Sequence, residues 1–297
     1  METLIQATDI TKRYDDFALD AFNITVALDR VVGLIGSNGA GKTTLLKALL
    51  GMISLDNGTI SLLGTDPHAT NTNIAQIKQR IGVVLDTCAF PVTMKMRDVA
   101  TLGRAAYPAW DSACFTRLCT EFGLAPKKPV KELSRGMGMK LTLAFALSHH
   151  PDLLILDEAT AGLDPIARDE ILDILRSFMT EEGHGILMSS HITTDLEKIA
   201  DEIICIDNGA QIFALPKEAI CDEAGIAHCR ASEVEAIRES GFVATGTVQP
   251  AKYLPRGLAI DLLVPDRVTF ARAFPDIAIE RASIEDYMTL TLKGETL

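Results

Sequence analysis

Nine consecutive residues, Gly36-Ser37-Asn38-Gly39-Ala40-Gly41-Lys42-Thr43-Thr44, combine backbone freedom, one cation and three hydroxyls in a single turn. The apolar run Val31–Ile35 precedes them and Leu45–Leu50 follows, which reads as strand, glycine-rich turn and helix. The spacing Gly36-x-x-x-x-Gly41-Lys42-Thr43 is the P-loop pattern in the strand–loop–helix setting that pattern requires. Glycines at 36, 39 and 41 let backbone N–H groups converge on phosphate oxygens. The helix start adds free N–H groups and the positive end of its dipole. Lys42 has the charge to neutralise β- and γ-phosphates, and the Thr43 hydroxyl can ligate Mg²⁺. A plain helix-capping turn needs neither Lys nor Thr at those places, so the loop is read as a nucleoside triphosphate site.

A second constellation lies at Leu153-Leu154-Ile155-Leu156-Asp157-Glu158, an apolar strand ending in two carboxylates. Asp157 is placed to face a magnesium shell, and Glu158 to accept a proton from an attacking water. Ser189-Ser190-His191 ends another buried strand, Gly185–Met188, and Asp86 follows the strand Ile81–Leu85. Gly36, Asp86, Asp157 and His191 thus all fall at carboxyl ends of strands, where ligands bind in doubly covered parallel sheets.

The elements that must hold these residues follow in order. Residues 1–30 alternate apolar and polar around Asp15-Asp16, which predicts antiparallel strands with Tyr14 at a charged tip, free to stack on a base. Residues 53–69 read as a turn and a short strand. From about 87 to 140 the pattern becomes short helices joined by Pro91, Pro108 and Pro126, a helical insertion. Ser134 caps a helix over Arg135–His149, and a further helix spans Ile166–Thr180. Strands alternating with helices predict a mostly parallel sheet.

Beyond residue 215 the order βαββαβ resembles a split-βαβ sandwich. Its strands fall at Gly225–Arg230, Phe242–Val248, Leu258–Val264 and Ile277–Glu280. One helix opens on a capping box from Ser232 to Glu235, and others start at Asp266 and Ser283. No catalytic cluster is visible there, so residues 216–297 are read as a small α+β accessory domain for docking or regulation.

Composition narrows the choices. The chain of 297 residues is 47% hydrophobic but only 5% aromatic, and no run approaches the roughly 20 apolar residues that span a bilayer. A net charge of −12 argues against general nucleic-acid binding. The N-terminal residues have no basic stretch of the signal-peptide kind. Six scattered cysteines form no C-x-x-C pair and are read as reduced thiols of a cytosolic protein.

Over residues 1–215 the sequence resembles the ATP-binding subunit of ABC transporters. Gly36–Thr44 corresponds to the Walker A loop and Leu153–Glu158 to Walker B. Ala161-Gly162-Leu163-Asp164 matches the D-loop, His191 the switch histidine and Tyr14 the adenine-stacking aromatic. Leu133-Ser134-Arg135-Gly136-Met137 stands where the family has its Leu-Ser-Gly-Gly-Gln signature.

The resemblance implies a P-loop NTPase (RecA-like) α/β core with an N-terminal antiparallel β subdomain and a helical insertion. It also implies ATP and Mg²⁺, and catalytic roles for Glu158, His191 and Lys42. The nucleotide contacts would come from Tyr14, residues 36–44, Ser134, Gly136 and Asp164, and the metal contacts from Thr43, Asp157 and Asp86. Head-to-tail dimers are implied, with the same chain or a related ATPase, each ATP lying between one P-loop and the partner's Ser134. So is a separate integral-membrane permease that would hold the chain at the inner face of the cell membrane.

The sequence departs from the family pattern at three places. Asp86 replaces a glutamine, and a carboxylate about 4 Å from a phosphate charge costs roughly 4 kcal/mol at an effective dielectric of 20. It must therefore face a cation or turn away. Arg135 and Met137 replace Gly and Gln, and Arg135 is read as a solvated helix-start arginine. Ala159 follows Glu158 where proline is common. The Leu-Ser-Arg-Gly-Met form, with Tyr107-Pro108-Ala109-Trp110-Asp111, resembles the ABC-2 branch of small exporters of antibiotics, peptides or lipidic compounds, although Trp110 serves equally well as plain core. The alternative, a soluble ABC-type ATPase working on nucleic acid or ribosomes, lacks its usual second cassette or long coiled coil.

Overall fold

The computed structural model describes residues 2–69, 73–126, 128–242, 251–257 and 259–297. They form two compact units, Met1–Ala200 with Ile204–Ala214, and Leu215–Leu297 with Asp201–Ile203.

The first unit opens with β1 (Thr3–Arg13) and β2 (Ala18–Ala27), an antiparallel pair, followed by β3 (Arg30–Ile35) and α1 (Lys42–Leu49). Next come β4 (Asn57–Leu62), α2 (Ile74–Lys78), β5 (Ile81–Val84), α3 (Met96–Ala106), α4 (Ser112–Glu121) and α5 (Arg135–Leu147). The unit is completed by β6 (Leu153–Asp157), α6 (Pro165–Phe178), β7 (Gly185–Ser189), α7 (Thr193–Ile199), β8 (Glu202–Asp207) and β9 (Ala210–Pro216). The unit boundaries fall inside β8 and inside β9, the latter a strand absent from the sequence reading.

One sheet orders these strands β4-β1-β2-β9-β8-β3-β7-β6-β5. Antiparallel strands therefore occupy one end and the parallel β3, β7, β6 and β5 the other. Every residue of β6 and β7 is buried, as a strand covered on both faces requires. In the parallel register Leu34 lies opposite Ser189, and Ser189 opposite Asp157. Three neighbouring strands therefore end level, and the loops leaving them share one edge.

The helices between β5 and β6 have their own core of Val99, Phe115, Leu118, Leu141 and Ala144. Trp110 belongs to this core: its ring lies 5.1 Å from that of Phe145, over Gly103, where any Cβ would fall within 2.3 Å of it. His149, 2% exposed, stacks on Tyr107 at 4.0 Å and its Nδ1 lies 3.0 Å from the Gln79 carbonyl.

The second unit contains β10 (Gly225–Cys229), α8 (Ala231–Ser240), β11 (Lys252–Arg256), β12 (Ala259–Val264), α9 (Arg267–Ala273), β13 (Ala278–Arg281), α10 (Ile284–Lys293) and β14 (Glu295–Thr296). The sheet order is β13-β10-β12-β11-β14, with every neighbouring pair from β13 to β11 antiparallel. That is the arrangement of a split βαβ unit with one short strand added at the edge. Asp266 and Ser283 cap α9 and α10.

The capping box expected from Ser232 to Glu235 is displaced. α8 starts after Arg230, whose N–H donates to Glu233 Oε2 at 2.6 Å, so Ser232 already lies inside the helix. The earlier start lets the glutamate at the third helical position reach back. The expected strand at Phe242–Val248 falls, from residue 243 on, outside the described residues.

Burial pushes the His149 imidazole down to about 4 from an ordinary 6.5, because a charged ring would lose its hydration. Between those values the unfolded chain binds a proton that the native chain does not, so stability falls as the pH drops through that window. The full loss from this residue is about 3 kcal/mol, of which about 2 kcal/mol is reached at pH 5. In urea denaturation of wild type and His149→Gln, the stability difference between the two proteins should shift by about that amount between pH 7.5 and pH 5, in favour of the variant.

Candidate active site

The shared strand edge brings three loops together. Gly36 follows β3 directly and has no room for a side chain: a Cβ would fall 2.3 Å from the Ile206 carbonyl oxygen of β8. Gly41 takes φ +114°, open to glycine, and packs against the Phe17 ring, which a Cβ would meet at 2.7 Å. The Ala40 carbonyl accepts from Gly209 N–H at 2.8 Å, and Ser37 Oγ lies 3.4 Å from Asp207 Oδ1. The glycine-rich loop is thereby clamped against the end of β8 and the turn that follows. Ser37, Asn38 and Gly39 remain exposed, and Thr44 is part-buried in the first turn of α1.

Lys42 is 6% exposed and its Nζ donates to the carbonyls of Gly36 at 2.7 Å and Ser37 at 3.3 Å. The same Nζ lies 3.3 Å from Glu158 Oε1. The other oxygen of Glu158 is bonded to His191, at 2.6 Å to Nδ1 and 3.3 Å to the backbone N–H. One carboxylate thus joins the cation of the glycine-rich loop to the histidine after β7. Glu158 adopts φ +53°, a left-handed backbone that a glutamate seldom takes.

Asp157 is 4% exposed, so its charge needs donors. Thr43 Oγ1 donates to Oδ2 at 2.8 Å and Ser189 Oγ to Oδ1 at 2.5 Å. Ser189 also accepts from the Glu158 N–H at 3.2 Å. The sequence reading missed Ser189 in this role, although its place directly before the Ser190-His191 pair on a strand parallel to β6 was the available signal. Thr43 and Asp157 present hard oxygen donors to one point, and that set suits Mg²⁺, which takes one or two carboxylates and completes its shell with phosphate and water. Among the described residues no group of three or more His, Cys, Asp or Glu side chains forms a metal site.

Asp86 is not drawn into this set. It lies two residues past β5, exposed, and among the described residues its carboxylate makes no hydrogen bond or ion pair. Its backbone carbonyl instead accepts from Arg135 Nη2 at 3.5 Å, and the same guanidinium lies over Gly162. Arg135 is therefore a bridge between two loops rather than a side chain directed wholly at solvent.

Ser134 and Asp164 stand exposed at helix starts. Ser134 Oγ accepts from Met137 N–H at 3.3 Å, and Asp164 Oδ1 from Ile166 and Ala167 N–H at 3.1 and 3.0 Å. Gly136 lies in the first turn of α5, facing Leu163 and Ala167. Tyr14, 49% exposed at the β1–β2 tip, has Lys12 Nζ 5.7 Å from its ring centre.

Ser189→Ala should leave an oxygen of a buried carboxylate short of a donor. A loss of about 1.5–3 kcal/mol in stability is expected from urea denaturation, together with reduced phosphate release.

This geometry stands beside three comparisons. The family model for the ABC transporter domain matches residues 19–161. The bacitracin transport ATP-binding protein BcrA of Bacillus licheniformis is 34% identical over 219 residues, which cover 73% of this chain and 71% of that protein. The Nod factor export ATP-binding protein I of Burkholderia lata is 37% identical over 214 residues, 70% of this chain and 69% of its own. Among solved structures, an ATP binding subunit of an ABC transporter aligns at 26% identity and TM-score 0.66, over 73% of this chain and 92% of that one. The fold is also that of cbiO1 from Clostridium perfringens, at 23% identity and TM-score 0.64, over 82% of this chain and 96% of that one. With a P-loop NTPase core, and a glycine-rich loop and an acid–histidine pair at one sheet edge, the chain belongs to the ATP-binding subunits of ABC transporters, which are ATPases.

Proposed function

We propose that two such cassettes, identical or related, clasp two molecules of MgATP between them and drive export through a separate membrane permease. In this reading each nucleotide rests on residues 36–44 of one cassette and on Ser134 and Gly136 of the other, with Asp164 close to the shared boundary. Among the described residues no helix is long and apolar enough to cross a membrane, so the pathway would belong to the partner polypeptide. Relatives named for bacitracin transport and Nod factor export support export as the direction, with a small molecule, peptide or lipid-like compound as cargo. The cassette would then sit against the cytoplasmic face of the membrane.

The observation that carries the reading is the linkage of Lys42, Glu158 and His191 at the edge where the glycine-rich loop begins. Lys42 would pass from Glu158 to the β- and γ-phosphates, and that exchange frees the carboxylate to take a proton from water. His191, held by Glu158 through Nδ1, keeps Nε2 for the terminal phosphate. Thr43 and Asp157 would hold Mg²⁺, which when bound draws charge from the phosphate oxygens. Ser134 opens a helix whose N-terminal dipole favours an anion, and among the described residues its hydroxyl bonds only its own helix. That leaves it suited to a phosphate brought by a second copy. Asp86 lies outside the metal set in this reading.

Glu158→Gln should lower ATP turnover by roughly 10²–10⁴-fold, the contribution expected of a general base, while ATP still binds. With ATP and Mg²⁺ the variant should elute from gel filtration as a dimer, and a persistent monomer counts against the clasped arrangement. Tyr14→Ala removes a stacking contact worth about 1–3 kcal/mol. It should weaken ATP binding by roughly 5- to 150-fold while leaving inorganic triphosphate binding unchanged, as read by equilibrium titration.

A further inference from the structure

A second cluster of charge lies away from these contacts, in the two helices that follow the D-loop and the histidine. Asp195, in the first turn of α7, is 1% exposed, and neither of its carboxylate oxygens has a hydrogen-bond partner among the described residues. Arg168, in the first turn of α6, brings Nε to 3.7 Å from Asp195 Oδ2, and that Nε is itself buried and without a hydrogen bond. The fully buried hydroxyl of Thr160 is unsatisfied as well. Burial pushes the Asp195 carboxyl up, opposed by the Arg168 and Lys198 cations, while Asp169 adds to the rise.

Each member of this cluster is a short step along the chain from a residue of the site. Thr160 lies two residues after Glu158. Arg168 lies four after Asp164, and its N–H donates to the Asp164 carbonyl at 3.0 Å. Asp195 lies four after His191. A surface pair, Lys198 to Asp169 at 2.6 Å, ties the same two helices at a second point.

An ion pair with slack geometry and one partner fully buried is a poor way to stabilise a fold, since apolar side chains of similar volume often do as well or better. Its advantage over an apolar contact is directional: it fixes one helix against the other at a defined offset. We propose that Asp195 and Arg168 are positioning residues that lock α6 to α7, so that the Asp164 loop and His191 move as one body. The proposal rests on the roles given above to His191 and Asp164. Through this lock, a change at the Asp164 loop on cassette closure reaches His191 without passing through the nucleotide.

The test compares ATP turnover and ATP affinity in the full chain. Asp195→Asn keeps the shape and removes the charge. The paired variant Arg168→Met/Asp195→Leu leaves no buried charge unpartnered and is the variant expected to keep the wild-type thermal midpoint. Both should show kcat lowered about tenfold with the KM for ATP within twofold of wild type. In a His191→Ala background the paired change should cost less than a further twofold, because the lock acts through that histidine. Wild-type kcat in the folded paired variant overturns the proposal, as does a full tenfold loss added to that of His191→Ala. If His191→Ala alone leaves turnover unchanged, the reading of the site fails and the lock falls with it. If His191→Ala is impaired and the paired variant is not, only the lock fails.

Discussion

The hydrogen bond from Ser189 to Asp157 carries the rest of the site. It joins two residues that the parallel register of β7 and β6 sets side by side, at the last position of each strand. A carboxylate this deeply buried is tolerated because Ser189 and Thr43 both donate to it. Once Asp157 is fixed, the next residue on each strand is fixed too. Glu158 and the Ser190-His191 turn then leave the sheet facing each other, and Lys42 meets the same glutamate from the third strand. The chemistry therefore depends on register, which is a property of the whole sheet and not of any one loop.

That dependence explains what could be read in the sequence and what could not. Glycine, lysine and threonine at set intervals announce a phosphate loop because backbone conformation and charge are local properties. The strands before Asp157 and His191 were equally legible, since a short apolar run ending in a polar residue needs no partner to be recognised. Asp207 was not legible, and Ser189 only through its place before the Ser190-His191 pair. Their significance arises only when strands distant in sequence lie level, and a serine or aspartate at a strand end is otherwise ordinary.

Strand β9 escaped notice for a related reason. Its residues Ala210–Pro216 are only partly buried and lack clean alternation, so pairing within the sheet, not pattern, makes them a strand. The helix expected to be capped by Ser232 is capped two residues earlier, because the Glu233 side chain reaches back to the Arg230 N–H. Arg135 is exposed at a helix start as read, but its contacts with Asp86 and Gly162 were not legible, because exposure says nothing about which loops lie within reach of a long side chain. The helical insertion and the split-βαβ unit were easier to delimit, because each gathers its own apolar cluster.

The backbone of Glu158 has a consequence for what can replace it. A left-handed conformation costs a glutamate about 1–2 kcal/mol, which glycine would not incur and asparagine would incur less. Substitution there by either would relax the turn, but it would also leave the buried Lys42 ammonium without its carboxylate partner, so backbone and charge pull in opposite directions at this one residue. A glutamate here therefore holds a strained backbone in exchange for the contacts its carboxylate makes to Lys42 and His191.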